Sequence, residues 1–441
     1  MPRPRPLMPP SAPNGSHRRR ALALVAASGS LALVTGCAGS ISASSESSGS
    51  TGGTGFAYGA SQDEITEAIA DLDPVTLVYQ PASSSPDDTA APSAQAFKDT
   101  IETRSNGQIE IEIVYGQAIA GYTELPDALV DGRVDIAHLV PSYLPSEFPA
   151  FNELMSFSQL APTSPLVGEM ATSAMLNQLA WENEAVLQEF AGAGLSPLTP
   201  QVNSGEFFFV CNPQNDQNTA EAWAGRQIRI GSQAAESTVR DIGANPVSLE
   251  YVEAFEGLQR GTIDCSLTQL GSAASFGVPT AAPNISYLTE GSFAGRSPAA
   301  QVGGTGYANL PLAYQQIIFD AQPEYFALWT QHLADSNALA MEQSNDEGGV
   351  VSALPDEVQD AIRTSQAALI EDTGESEVIA QALASEPEAL GEAWLDRANE
   401  LGFTDGGDLQ SIGRWYSADD ANFLPYTLAL YEDVFLDHRP E

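Results

Sequence analysis

The chain has 441 residues, and its 17 basic and 58 acidic side chains give a formal net charge of −41 at pH 7. So negative a protein is excluded as a nucleic-acid binder, because phosphate binding requires a basic surface. The histidines and cysteines form no cluster with metal-ligand spacing, so we expect neither a structural metal site nor a cofactor.

The first 37 residues have the features of an export signal. Arg18, Arg19 and Arg20 precede a mostly apolar stretch, 21–34, which is shorter than a membrane-spanning helix. The stretch ends in Leu-Val-Thr-Gly-Cys, which resembles a bacterial lipobox and predicts lipidation of Cys37. The alternative is a plain signal peptide with an incidental cysteine. Residues 38–72, rich in Ser, Gly, Ala and Thr as far as about Ala60, are predicted to be a flexible tether.

Residues 73–140 alternate between short strands and helices. Strands are predicted at 76–79, 108–114 and 134–140, and helices at 93–103 and 124–130. This β-α-β-α-β order is typical of a parallel sheet covered by helices.

The same alternation returns between 206 and 265. Strands are predicted at 206–211 and 226–230 and again from Ile263, with helices at 234–242 and towards the end of 248–259. Two similar α/β units in one exported chain indicate two lobes with a cleft between them.

From Leu312 onward the pattern is mainly helical. The stretch 312–344 is amphipathic, with Trp329 and Leu333 at helical spacing, and Pro323 should break or kink it near Gln322. Further helices are predicted at 354–372 and 376–401.

Three motifs in the second unit occur in a recognisable order. Residues 223–230 read WAGRQIRI, 242–247 read IGANPV and 258–264 read LQRGTID. The series resembles the extracytoplasmic solute receptors of TRAP transporters, whose pattern is Gly-x-x-Ile-Arg, Gly-Ala-x-Pro, Leu-Gln and Gly-x-x-Asp. Weaker matches extend the resemblance over most of 75–345. Cys265 departs from the family, which usually has Gly there, and the tail after Ser344 is longer than usual.

The resemblance implies a two-lobe, periplasmic-binding-protein-like α/β fold with a long helix and a helical C-terminal region. The expected first lobe comprises 73–195 and about 271–311, and the second comprises 196–270 and about 312–345. Residues 346–441 would form a helical extension that packs on the lobes. By the same resemblance the protein is not an enzyme. It would capture a small organic carboxylate outside the cell, lipid-anchored to the membrane, and deliver it to integral-membrane permease subunits.

Arg229 is the residue that the resemblance selects to bind the carboxylate. A guanidinium stays charged, and its planar fork donates two parallel hydrogen bonds to a carboxylate. Only 12 basic residues follow Cys37, and Arg226 and Arg229 lie on the same predicted strand. Because they are three apart, they point to opposite faces, so only one can face the cleft. The alternative is that Arg229 forms a structural ion pair with an acid.

Four further residues match family positions that can contact the ligand: Tyr251, Thr268, Glu124 and Gln80. Tyr143, which follows Pro141 and Ser142, is expected to line the cleft from the hinge side. Each also has an ordinary structural explanation, as a core aromatic residue, a strand-end threonine, a solvated helix start or a loop residue. Separately, Cys211 and Cys265 are either a disulfide, which an oxidising exterior permits, or two buried thiols.

Three other functions remain open. A receptor of an ATP-driven importer would share the two lobes and the anchor. A secreted hydrolase is less consistent with the sequence, which contains neither a Gly-x-Ser-x-Gly nor a His-Glu-x-x-His motif. A structural or adhesive surface protein would not need the Arg-centred series. Our hypothesis for the acidity is a high-salt habitat, where ions screen self-repulsion, and the alternative is an ordinary acidic secreted protein.

Overall fold

The computed structural model describes residues 54–213, 219–289, 291–371 and 376–441. The predicted signal peptide, Cys37 and the first part of the predicted tether lie outside these ranges. Within them, no helix has the length and apolar character needed to cross a membrane.

Eleven strands are present in the described ranges, and they form two sheets. They are β1 (Val75–Gln80), β2 (Ile109–Ile113), β3 (Ile136–Leu139), β4 (Ser196–Val202), β5 (Phe207–Cys211), β6 (Gln227–Ile230), β7 (Asn245–Ser248), β8 (Cys265–Gln269), β9 (Asn284–Tyr287), β10 (Ala299–Gly303) and β11 (Val351–Ala353).

The first-lobe sheet has the strand order β2-β1-β3-β10-β4. Strands β1, β2 and β3 are parallel, whereas β10 runs antiparallel to β3 and β4. Apolar and acidic residues alternate along β2, so one face of the strand is buried. Ile109 and Ile111 face the core, whereas Glu110 and Glu112 do not.

The second-lobe sheet has the order β11-β9-β5-β8-β6-β7. Strand β6 lies between β8 and the edge strand β7 and runs parallel to both, so Arg229 lies opposite Val247 and Ser266. Every residue of β5 and β8 is buried, as expected for strands covered on both faces. Cys211 and Cys265 oppose each other on these two strands and form a disulfide, which decides between the two alternatives.

The α-helices of the described ranges cover both sheets. They are α1 (Gln62–Ile69), α2 (Ala91–Arg104), α3 (Leu125–Val130), α4 (Pro149–Leu154), α5 (Val167–Trp181), α6 (Glu184–Gly192), α7 (Gln233–Asp241), α8 (Tyr251–Arg260), α9 (Leu270–Ser275), α10 (Val278–Ala281), α11 (Thr305–Ala308), α12 (Leu312–Phe319), α13 (Gln322–Asp346), α14 (Asp356–Glu371), α15 (Glu377–Ala384), α16 (Pro387–Glu400), α17 (Ile412–Trp415) and α18 (Leu424–Leu430).

The long helix α13 packs on both lobes, against α2 of the first and α9 of the second. The expected break near Pro323 is present, because α12 ends at Phe319 and Pro323 lies in the first turn of α13. The segment predicted as one helix over 376–401 is two, because Pro387 begins α16 after α15 ends at Ala384.

Two strands belong to a different lobe from the one that the expected boundaries assign to them. Strand β4 follows the expected boundary at 196 but pairs with β10 in the first-lobe sheet. Strand β9 follows the boundary at about 271 but pairs with β5 in the second-lobe sheet. The chain therefore crosses between lobes near 203–206 and again near 288–298.

The expected tether also ends earlier than residue 72. Helix α1 begins with a capping box formed by Ser61 and Glu64, and it buries Ile65 and Ile69, which lie one turn apart. Phe56 is anchored as well, since its backbone amide donates to Gln316. The described part of the expected tether is therefore folded, because the sequence supplies apolar residues at helical spacing.

The C-terminal extension contributes to the cores of both lobes. Val358 and Ile362 of α14 pack in the second-lobe core, and so does Ile412 of α17. Trp394 of α16 and Tyr426 of α18 belong to the first-lobe core. The extension therefore passes repeatedly from one lobe to the other.

Candidate functional site

Arg229 lies at the centre of the candidate site and is 0% exposed. Its Nε donates to the carbonyl of Leu249 at 2.9 Å and its Nη1 to the carbonyl of Leu267 at 3.4 Å. Its Nη2 donates to the hydroxyl of Tyr143 at 2.9 Å. The guanidinium carbon also lies 4.5 Å from the ring centroid of Tyr251. Dipoles and an aromatic ring thus surround this charge.

No carboxylate of the described residues forms an ion pair with Arg229. By contrast, two other largely buried arginines are each paired: Arg296 with Glu169 at 2.7 Å, and Arg439 with Asp320 at 2.7 Å. A buried charge without a counterion is costly. The alternative of a structural ion pair for Arg229 is therefore not supported.

Tyr143 connects the two lobes through its hydroxyl. It lies in a short 3₁₀ turn after β3 of the first lobe, and its oxygen accepts from Arg229 and from the backbone amide of Tyr251 at 3.0 Å. Burial raises the pKa of Tyr143 well above its ordinary value, so the phenol stays protonated. Its ring lies 5.7 Å from that of Tyr251 and 6.0 Å from that of Tyr122.

A cavity of about 40 Å³, here called the enclosed cavity, is lined by residues of both lobes, and a more open pocket of about 360 Å³ also borders the tyrosine cluster. Tyr251 lines the enclosed cavity, and Tyr143 and Gly231 line the open pocket. The space around Gly231 is restricted, since a Cβ there would lie 2.9 Å from Nη2 of Arg229.

The walls of the enclosed cavity come from three parts of the fold. The first lobe supplies Asp88, Tyr122 and His138, the second lobe supplies Tyr251 and Ser275, and helix α13 supplies Trp329 and His332. Burial lowers the pKa of His138 to about 3 and that of His332 to about 4, so both rings are neutral at pH 7.

Asp88 is the carboxylate in the wall of this cavity. Burial by itself would raise its pKa, but hydrogen bonds from Ala90 and Ser84 outweigh burial and lower it. Asp88 is therefore ionised at neutral pH. Ser275 of the second lobe donates to Asp88 at 3.1 Å, so this contact bridges the lobes.

The structure brings together Arg229, Tyr251 and Tyr143 from the set that the sequence predicted. Thr268 is buried on β8, and its hydroxyl donates to the carbonyl of Gln269 at 3.4 Å. The side-chain amide of Gln80 is bonded to the backbone of 119–120, and Glu124 is exposed at the start of α3. The ligand-binding roles of all six residues stay predictions.

Sequence reasoning did not identify Asp88, Tyr122, His138, Trp329 or His332. For two of them the predicted strands offered a signal, because the carboxyl ends of parallel strands line a cleft. His138 lies in strand β3, and Asp88 lies in the loop after β1. Trp329 and His332 gave no such signal, since they occur in a long helix whose apolar residues also form core.

Residues 82–377, more than half of the chain, match the family model described as bacterial extracellular solute-binding protein, family 7. The chain belongs to this family. The resemblance drawn from the Arg229 motif series is thereby confirmed.

The family-7 chain is similar to several known proteins. A solute-binding protein of Albidiferax ferrireducens is 26% identical over 228 residues, which are 52% of this chain and 61% of that protein. The chain therefore spans less than two thirds of this curated relative's length.

Solved structures show the same two-lobe fold, which confirms the expected fold class. One is a TRAP solute-binding protein from Rhodoferax ferrireducens in complex with copurified benzoate, at 17% identity and TM-score 0.60, covering 75% of this chain and 100% of that one. Another is a sugar acid binding protein from Advenella mimigardefordensis in complex with galactonate, at 16% identity and TM-score 0.59, covering 75% and 99%. A third is the periplasmic ectoine-binding protein of Halomonas elongata, at 20% identity and TM-score 0.58, covering 73% and 100%.

Proposed function

We propose that this family-7 protein is an extracytoplasmic receptor that captures a small organic carboxylate between its lobes and delivers it to a TRAP-type permease. The observation that carries the proposal is the buried guanidinium of Arg229, which has no carboxylate partner in the described part of the chain. In a protein with a net charge of −41, an available acid would ordinarily pair with such a cation.

In this proposal the ligand supplies the missing anion. One carboxylate oxygen takes the position of the Tyr143 hydroxyl, where it accepts from Nη2 of Arg229 and from the backbone amide of Tyr251. That amide belongs to the first turn of α8, whose positive end favours an anion. Closure of the lobes excludes water, and the low dielectric strengthens the ion pair.

The other predicted residues would support this ion pair. The ring of Tyr251 would supply apolar contact, and Thr268 would bond the ligand from β8. Gln80 would act through the 119–120 backbone that it holds, and Glu124 would lie at the mouth of the cleft. Lipidation of Cys37 would keep the receptor at the membrane that contains the permease.

The relatives provide independent support for a carboxylate. Structures with this fold hold benzoate, galactonate and orotic acid in the proteins named above and in one from Desulfovibrio salexigens. Each of these ligands is an organic acid. A receptor role requires no catalytic group.

A calorimetric titration of the purified chain against a carboxylate library tests the proposal. At least one acid should bind, and Arg229→Gln should weaken that binding by about 2–5 kcal/mol, the cost of truncating one partner of a buried charge pair. The matched control is Arg260→Gln, which removes one positive charge from an exposed pair on α8.

The alternative functions give different results. If a neutral sugar or a peptide binds and no carboxylate does, the receptor of an ATP-driven importer becomes the better explanation. Because Arg229→Gln removes three hydrogen bonds, its fold is checked by circular dichroism, and Arg229→Lys serves as a second variant. Lysine keeps the charge but loses the planar fork, so binding should weaken less.

A further inference from the structure

Arg229 is a charge in the interlobe region that has no ion-pair partner in the described ranges, and a carboxylate nearby shares this property. This carboxylate is Asp88, which no Lys or Arg nitrogen of those ranges approaches within 4.0 Å. Asp88 and Tyr251 both line the enclosed cavity, and the ring of Tyr251 also contacts the guanidinium of Arg229. Tyr251 is therefore a neighbour of both the cation and the cavity that contains the carboxylate.

Aromatic rings surround the Asp88 side of this region. Trp329, Tyr122 and Tyr251 all line the cavity. The rings of His138 and His332 lie 5.4 Å and 4.9 Å from the ring of Trp329. Rings of this kind attract cations through their quadrupole, and cages of aromatic residues bind quaternary ammonium groups.

His138, which lines the same cavity, has a ring nitrogen without a hydrogen-bond partner. Its Nδ1 is buried and has no hydrogen-bond partner, although the side chain is 5% exposed and lines the cavity. A buried polar atom without a partner carries a desolvation cost, which a polar group of a ligand would relieve. Because His138 and His332 are neutral at pH 7, neither would repel a cation.

We infer that the enclosed cavity is a subsite for a cationic nitrogen and that the ligand is a zwitterion, with its carboxylate at Arg229 and its ammonium group between Asp88 and the aromatic rings. This inference rests on the proposed function. It narrows the ligand class, because a second carboxylate at this position would face Asp88 and no lysine or arginine lines the cavity. Dicarboxylates are thus the class that the cavity rejects.

Pairs of carboxylates that differ only in charge test the inference. Trimethylammonioacetate is compared with 3,3-dimethylbutyrate, piperidine-2-carboxylate with cyclohexanecarboxylate, and succinate serves as the dicarboxylate. The library is extended with larger pairs built in the same way. The purified chain is titrated with each by calorimetry, and we expect the ammonium member of the binding pair to bind at least about tenfold more tightly than its carbon isostere.

Two variants assign that preference to Asp88. Asp88→Asn removes the charge and should reduce the preference for the ammonium member to less than about threefold. Asp87→Asn is the matched control, because it removes the neighbouring carboxylate, which is exposed and does not line the cavity. It should leave the preference intact, which separates recognition by Asp88 from a general loss of negative charge.

The outcomes separate the inference from the proposed function. Equal binding of the two members of each pair, tighter binding of succinate, or a preference that persists in Asp88→Asn would overturn the zwitterion while leaving the carboxylate receptor in place. If no carboxylate of any kind binds, the proposed function itself fails.

Discussion

The hydroxyl of Tyr143 accepts a hydrogen bond from Nη2 of Arg229 at 2.9 Å, and the same oxygen accepts one from the backbone amide of Tyr251 at 3.0 Å. Two donors on one buried oxygen are the environment that a carboxylate oxygen requires. The hydroxyl thus occupies the position that an anionic ligand would take, and a ligand would have to displace it.

Replacing Tyr143 with Phe tests this relationship. A hydrogen bond to a charged group contributes about 1.5–3 kcal/mol, and an incoming carboxylate must first break the one between Tyr143 and Arg229. Tyr143→Phe removes this hydrogen bond. We therefore expect carboxylates to bind about tenfold more tightly to the variant, measured by calorimetry. Weaker binding would show instead that the hydroxyl contacts the ligand directly. Tyr122→Phe is the matched control, because it removes a nearby phenol that does not touch Arg229.

The buried histidines of the cavity predict a loss of stability in acid. Burial holds the pKa of His138 at about 3 and that of His332 at about 4, whereas an unfolded histidine titrates near 6.5. The unfolded chain therefore binds more protons between these values, and stability falls as the pH drops from about 6.5 towards 4.

Urea unfolding of the ligand-free chain at a series of pH values measures this loss. In His332→Gln the free energy of unfolding should decrease less between pH 6.5 and 4, because one of the two cavity histidines is removed. The carboxylate of Asp88, whose pKa is lowered, loses its contribution only at more acid pH. Burial raises the pKa of Glu206, so this group lowers the free energy of unfolding as the pH rises above 4.5. An unchanged slope in His332→Gln would contradict the assignment.

Much of the fold could be predicted from local patterns. The alternation of 108–114 and the motif series around Arg229 identified β2 and the second-lobe sheet, because side-chain period and turn residues act over short stretches. Strand β10 was missed, since its sequence Ala-Ala-Gln-Val-Gly has no alternation and its pairing with β3 and β4 is long-range.

The candidate site could be predicted only in part, for a similar reason. Arg229 and Tyr251 were found because they belong to one motif series on neighbouring elements. Asp88 and Trp329 are far apart in sequence and share a cavity only because helix α13 packs on both lobes. Gln80 lies at the end of β1, and the sequence could not show that its amide is bonded to the 119–120 backbone.

The disulfide between Cys211 and Cys265 predicts a large contribution to stability. It closes a loop between residues that are 54 apart in sequence, and chain-entropy estimates for such a loop give about 4 kcal/mol. The double variant Cys211→Ala/Cys265→Ala should lose about this amount in urea unfolding. Reduction of the wild-type chain should give a similar loss, and no loss in either experiment would exclude a disulfide in solution.

A buried ion pair fastens the C-terminal end of the chain to the first lobe. Asp320 is fully buried, and it accepts from Nε of Arg439 at 2.7 Å and from the hydroxyl of Tyr431 at 2.6 Å. Arg439 also donates to the carbonyl of Phe56 at 2.8 Å and lies 4.8 Å from its ring. This one arginine therefore joins Phe56 to Asp320, the residue that caps the C-terminal end of helix α12.

Removing Arg439 alone should be strongly destabilising. Arg439→Met leaves the buried charge of Asp320 with the weaker ion pair to Arg104, at 3.8 Å, so the loss should approach the lower end of the range of about 3–5 kcal/mol that breaking a buried pair costs. Adding Asp320→Asn removes the buried charge, so the double variant should recover part of that loss. Urea unfolding of the four proteins gives the coupling free energy. Additive losses would mean that the two side chains do not interact, and the C-terminal end would then be held by the packing of α18 alone.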